Sequence, residues 1–218
     1  ALLSGLIVTK DDTYEVTWGS TLDTNVTYHF LHDRVQQAAY ALIDEARLES
    51  LHLKIGRLLL QNTQHDALDE QLFNIVSQLN LGKSLINDPA ERLRLAHLNL
   101  KAGKKAKASA AYDGAVCFLR HSTELLPENC WPQHYDLTLD VFSTLAECEY
   151  LAIDFESANQ SYVAVYANAN SILDKIPVYH IQIRQMASEQ KAGDAFQLGF
   201  DILNELGLAL PAPDAPHA

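Results

Sequence analysis

The chain has 218 residues, with 16 Lys+Arg against 28 Asp+Glu, a formal charge of −12 and a pI near 5.0. Apolar residues at 48% and charged residues at 20% supply a core and exclude a disordered tail. The acid excess argues against a non-specific polyphosphate binder, and no apolar run approaches the roughly 18 residues that cross a bilayer. No secretory leader pattern opens the chain, so the sequons at Asn25 and Asn159 carry no weight and a reduced, cytoplasmic setting is expected. The first residue is Ala rather than Met, and we expect a piece of something longer. Cys117, Cys130 and Cys148 have no CxxC spacing, which excludes a disulfide framework or a Cys-rich zinc site. Cys117 and Cys148 lie in apolar helical patterns and are expected as small buried hydrophobes.

Residues 1–31 differ from all that follows. Two β-rich runs, Leu6–Thr9 and Tyr14–Trp18, flank Lys10-Asp11-Asp12-Thr13 and predict a hairpin. Residues 19–27 are small, polar and turn-prone, and Tyr28–Phe30 offers a third short strand. From His32 the period becomes helical. Val35, Ala38, Ala39 and Leu42 share one face. A second helix over about 45–61 places Leu48, Leu51, Ile55, Leu58 and Leu59 together, and a third over about 68–81 uses Leu68, Leu72, Ile75, Val76 and Leu79. Asp88 is then an N-cap with Pro89 at the first helical position. The remainder predicts helices with short breaks at Gly103, Pro127–Pro132, Asp154, Pro177 and Gly193.

These helices recur in pairs. Leu95-Ala96 is followed by Ala108, Tyr112 and Ala115; Phe142 and Leu145-Ala146 are followed by Ala158, Tyr162 and Val165. Weaker versions are Ala195, Gly199 and Ile202, and Ile55-Gly56 followed by Leu68, Leu72 and Ile75. Small residues that let paired helices approach, with an aromatic filling the gap to the next pair, make the tetratricopeptide (TPR) frame. The intervals of 40, 50 and 37 residues between Leu68, Ala108, Ala158 and Ala195 exceed the regular unit and imply longer helices or loops.

Two stretches go beyond that frame. "YHFLHDRVQQAAYALI" (28–43) resembles the end of the winged-helix domain of STAND-type signalling ATPases, and Leu31-His32-Asp33 resembles their MHD signature. "LHLKIGRLLL", "LFNIVSQLNLG", "ERLRLAHLNLKAGKKAKASAAYDGAVCFLR" and "FESANQSY" resemble the helical-repeat segment of large bacterial sensor serine/threonine or histidine kinases carrying such an ATPase module. The resemblance implies that His32, with Asp33 beside it, faces the β-phosphate of ADP in the parent protein and latches an inactive state. It also implies that ATP or ADP binds the parent. This stretch of chain lacks a Walker A motif (the nearest run is "NLGKS" at 80–84) and every protein-kinase signature. No cofactor and no catalysis are expected of it alone.

Other candidates are weaker. His29 and His32 have no third ligand near in sequence, so no metal site is expected. Lys101, Lys104, Lys105 and Lys107 form a basic patch, weighed against a solvated turn whose lysines favour a helix C-terminus. It has no interleaved aromatics for stacking bases. The helix at 33–43 offers only Arg34 as a cation, which argues against DNA readout.

The expectation is thus a mainly α protein, a TPR-like α-α superhelix preceded by a β-hairpin/winged-helix remnant. Residues 1–43 would end a winged-helix domain, 44–210 would form the repeats with Ala96, Ala108, Tyr112, Ala115, Ala146, Ala158 and Tyr162 as packing positions, and 211–218 would be a linker. Its expected partners are a protein or peptide on the concave face and neighbouring domains of the same polypeptide, with no nucleic acid and no membrane. It would relay partner binding to a nucleotide-binding domain. The alternative is a stand-alone TPR adaptor without a nucleotide link.

Overall fold

The computed structural model describes residues 7–9, 28–30 and 32–208. The chain divides into two units, one through Leu51 and one from His52. In the first, β1 (Ile7–Thr9) and β2 (Tyr28–Phe30) pair antiparallel, with Val8 opposite His29. The expected strand Tyr14–Trp18 lies outside the described residues. Helix α1 (Asp33–Ala41) follows, with His32 at its N-cap position. Leu42, expected on the apolar face of α1, is instead its C-cap and is 87% exposed.

Helix α2 (Glu45–Asn62) enters the second unit, followed by α3 (Leu68–Leu81), α4 (Pro89–Ala108), α5 (Tyr112–Leu125) and the short α6 (Cys130–Gln133). Then come α7 (Tyr135–Leu151), α8 (Phe155–Asn168), α9 (Ile172–Ser188) and α10 (Ala192–Glu205). The protein is mainly α-helical. Helix α4 packs along α5, α7 along α8 and α9 along α10; between pairs, α5 packs on α7, α8 on α9, and α7 touches both α4 and α9. Each hairpin therefore meets its sequence neighbours, and among the described residues the core follows as three buried clusters, one from Leu53 to Cys148, one from Ala146 to Ile181 and a smaller one of Leu72, Val76 and Ala102.

The same turn closes three hairpins. Ala110, Ile153 and Gln190 have φ of 56°, 64° and 62°. Their N–H groups donate to Lys107, Tyr150 and Ala187, and the next residues Ala111, Asp154 and Lys191 donate to Ala106, Glu149 and Met186. This is the Schellman pairing, which satisfies carbonyls that a helix end leaves open. Glycine is the usual residue for that conformation, and Gly207 takes it at the end of α10. The three non-glycine residues hold it without glycine's freedom, and a β-branched Ile pays most.

This turn resets the repeat frame. Counting from it, Ala115, Ala158 and Ala195 occupy the same place in α5, α8 and α10, and all three are buried. Ala108, expected to be the packing residue, is exposed at the last position of α4, and Tyr112 is only half-buried. The physical reason is that Ala108 belongs to the end of the first helix, not the start of the second.

Gly103 is no break. It lies inside α4, where a Cβ would stand 2.6 Å from Leu119 Cγ on α5. Gly56 on α2 repeats this against Leu79, at 2.7 Å from its Cδ2. That contact turns the buried stripe of α2 to His52, Leu53 and Gly56 and leaves Leu58, expected on the apolar face, 46% exposed. Pro177 also stays within a helix, on the exposed side of α9 near its start, and Gly193 lies inside α10. Asp154 and the Pro127–Pro132 stretch do interrupt the helices. Asp88 caps α4 as expected, accepting from the backbone of Ala90 and Glu91.

Two substitutions test these constraints. Gly103→Ala should lower unfolding free energy by about 1–3 kcal/mol despite Ala's better helix propensity, because buried Leu119 has nowhere to move. Ile153→Gly should raise it by roughly 1 kcal/mol, because Ile153 is 76% exposed and loses strain rather than packing. Denaturant midpoints measure both, and a stabilised Gly103→Ala would contradict the close approach.

Candidate interaction groove

The first helices of successive hairpins, α4, α7 and α9, line a groove of about 610 Å³. Its apolar side is Leu139 on α7 with Leu173, Pro177 and Ile181 on α9, and Leu173 is 68% exposed. Its polar side is built from ion pairs. Lys104 on α4 donates to Asp140 on α7 at 2.6 Å, and Lys107 donates to Glu147 at 2.7 Å.

These contacts answer the question of the basic patch. Lys101 pairs with Asp69, and Lys105 reaches the Asp69 carbonyl while lying 5.3 Å from the centre of the Phe73 ring. All four lysines thus have partners inside the protein. The patch joins hairpins; it is not an open cationic surface.

Two carboxylates of the groove have no cation among the described residues. Asp136, at the first turn of α7, is exposed and makes no hydrogen bond or ion pair among the described residues. Asp174 accepts from the Tyr135 hydroxyl at 2.8 Å and completes a capping box with Ser171. The Tyr135 hydrogen bond first, then those of Ser171, hold its carboxyl below the usual range. Ser143 Oγ sits in this lining, buried and without a hydrogen-bond partner among the described residues.

On the other side of α7 a charge is buried. Glu149 is 2% exposed, accepting from Arg120 on α5 at 3.0 Å and from Ser161 on α8 at 2.7 Å. The same Arg120 nitrogen reaches Asp154 and Ser157, each at 3.0 Å. Hydrogen bonds from Ser157, with Arg120 contributing less, keep the Asp154 carboxyl below its ordinary value. Sequence reading passed over Arg120 and Glu149. The signal was present, since Glu149 falls among Leu145, Ala146 and Cys148 on the buried stripe of α7, where a carboxylate requires a partner.

The other expected positions fall as follows. Ala96, Ala115, Ala146 and Ala158 are fully buried, and Tyr162 is 1% exposed with its hydroxyl donating to Gln185 at 2.9 Å. Cys148 is buried, which pushes its thiol up to about 12. Cys117 corrects the expectation of burial. It is exposed, 3.9 Å from His121 Nε2, because α5 buries Ala115, Val116 and Leu119 and turns Cys117 outward. His32 is exposed, with no side-chain hydrogen bond capping α1, and Asp33 is the first residue of that helix. Among the described residues no group of three or more His, Cys, Asp or Glu could hold a metal ion. None of their helices is long and apolar enough to cross a membrane.

No family model matches the chain, and no solved structure does. Over 211 residues, 85% of this chain, it is 26% identical to "Hybrid signal transduction histidine kinase G" of Dictyostelium discoideum. The chain spans only 6% of that relative's length.

Arg120→Ala should cost roughly 2–3 kcal/mol of stability, because it strands the buried Glu149 charge although Arg120 itself is half exposed. The double variant with Glu149→Leu, which removes the stranded charge, should recover part of that loss. Chemical denaturation reads both. Full additivity of the two substitutions would show that the pair is not coupled.

Proposed function

We propose that this chain is the regulatory and protein-interaction part of a multidomain signalling protein, a TPR-like array rather than a catalytic domain. The observation that carries the reading is the succession of hairpins, each packed on its neighbours, with a groove running along their first helices. That arrangement offers a protein or peptide ligand an extended surface supported by rigid helices. The similarity to a signalling histidine kinase agrees with it.

The finer reading is that residues before the array end a winged-helix domain of the STAND type. A ligand on the array would then be relayed to a nucleotide-binding domain elsewhere in the polypeptide, through a two-state domain rotation rather than a chemical step. His32 and Asp33 would sense ADP there. Exposure of His32 in this chain leaves its ring available to another domain. Catalysis, and ATP or ADP, belong in this reading to the parent protein, whose setting is cytoplasmic.

The test uses the full-length protein. His32→Ala should shorten ADP retention, measured by release of a fluorescent ADP analogue after filtration. Unchanged retention overturns the latch. A parent without a Walker A motif that binds no nucleotide overturns the nucleotide link and leaves a TPR adaptor.

A further inference from the structure

The groove along α4, α7 and α9 has a charge balance that its lysines conceal. Its basic side chains are Lys104 and Lys107, each already bonded to a carboxylate of α7, and the exposed His180 of α9, which forms no ion pair with a carboxylate among the described residues. With those pairs cancelled, Asp136 and Asp174 remain as uncompensated negative charges beside an exposed apolar strip. Asp136 is the freer of the two, because the Asp174 carboxylate is already an acceptor for Tyr135 and Ser171. The strip presents Leu173, 68% exposed, with Pro177 next along α9.

Resting on the proposal that this groove is the interaction surface, we propose that its occupant is an extended peptide carrying Lys or Arg next to an apolar side chain. A cation would sit against Asp136 and meet a carboxylate that needs no rearrangement to receive it. The apolar side chain would cover Leu173 and Pro177. An acidic peptide faces the reverse situation. It would meet two carboxylates that have no cation, and it would have to share each lysine with the α7 carboxylate already bonded to it. The same argument disfavours a nucleic acid or an anionic lipid here, since phosphates require free cations. The chain's overall charge of −12 adds long-range attraction for a cationic partner, which the experiment must separate from local contact.

The probes are three fluorescein-labelled peptides of one length and one set of apolar residues, differing only in whether the polar positions are Lys, Glu or Ser. Fluorescence anisotropy measures their binding to the full chain. The Lys peptide should bind about tenfold more tightly than the Ser peptide, with the Glu peptide weakest. Asp136→Lys should weaken the Lys peptide by about tenfold, whereas Glu156→Lys, an equal charge change at an exposed position of α8 outside the groove lining, should shift it by less than about twofold. Leu173→Ser, on the exposed rim, removes apolar surface without adding charge and should weaken both the Lys and the Ser peptide. Equal losses from Asp136→Lys and Glu156→Lys would overturn the inference, leaving only non-specific attraction. Binding of the Ser peptide as tightly as the Lys peptide, weakened by Leu173→Ser, would overturn the basic class and leave the groove reading standing. Failure of all three peptides to bind would overturn both.

Discussion

Within each hairpin, one helix is small where the other is large. Gly56 faces Leu79, Gly103 faces Leu119, and in the last pair the order reverses, with Ile183 Cδ1 3.9 Å from where a Cβ on Gly199 would stand. Ala146 and Tyr162 share one buried cluster in the pair between them. The spacing of α2 against α3 and of α4 against α5 is limited by the two glycine contacts, because interiors pack to crystal-like density and no atom can be added at a 2.6 or 2.7 Å approach. Asn80 and Asn99 exchange amide hydrogen bonds at 2.8 and 2.9 Å from α3 to α4 only because their backbones are held at a fixed separation, and Asn99 is fully buried there.

The acidic composition acquires a structural meaning in the same way. Lysines of α4 meet carboxylates of α3 and α7, and Arg120 of α5 meets carboxylates of α7 and of the turn into α8. Most of these pairs are half exposed, so each alone adds little stability. Their effect is to fix register, since a hairpin shifted along its neighbour loses several partners at once. Glu149 differs. As a buried carboxylate it penalises any arrangement in which Arg120 and Ser161 are absent, which makes it a specificity contact more than a stabilising one.

Helix spans were legible because periodicity and capping are local: Leu68–Leu81 and the Asp88-Pro89 start match the pattern residue for residue. The turns were not. Ala110, Ile153 and Gln190 adopt a conformation that composition assigns to glycine, so nothing in the residues themselves marks them, and Ala108 was aligned where Ala115 belongs. Glycine misled in the opposite direction. Gly103 suggests a break only until Leu119 is known to lie over it, a tertiary fact that no window of sequence contains. The groove shared this fate. Its lysines were visible as a cluster, but whether they are free depends on Asp69, Asp140 and Glu147, which are distant in sequence and adjacent only after folding.

Helix α7 is where these constraints converge. It bonds to α4 through Asp140 and Glu147, to α5 and α8 through Glu149, and to α9 through Tyr135, whose hydroxyl donates to Asp174 and accepts from the Asn170 backbone at 2.7 Å. Its buried face belongs to two of the hydrophobic clusters, with Val141, Leu145 and Cys148 in one and Ala146 in another. In an array whose members touch mainly their neighbours, a displacement passes along the chain through whichever helix is shared. A ligand that moved α9 against α7 would strain the Tyr135–Asp174 contact on one face, and the Lys104 and Lys107 pairs on the same helix would have to follow or break. The groove therefore shares with the link between hairpins the Lys104–Asp140, Lys107–Glu147 and Tyr135–Asp174 contacts, while Arg120 and Glu149 tie the same helices together on the other side of α7.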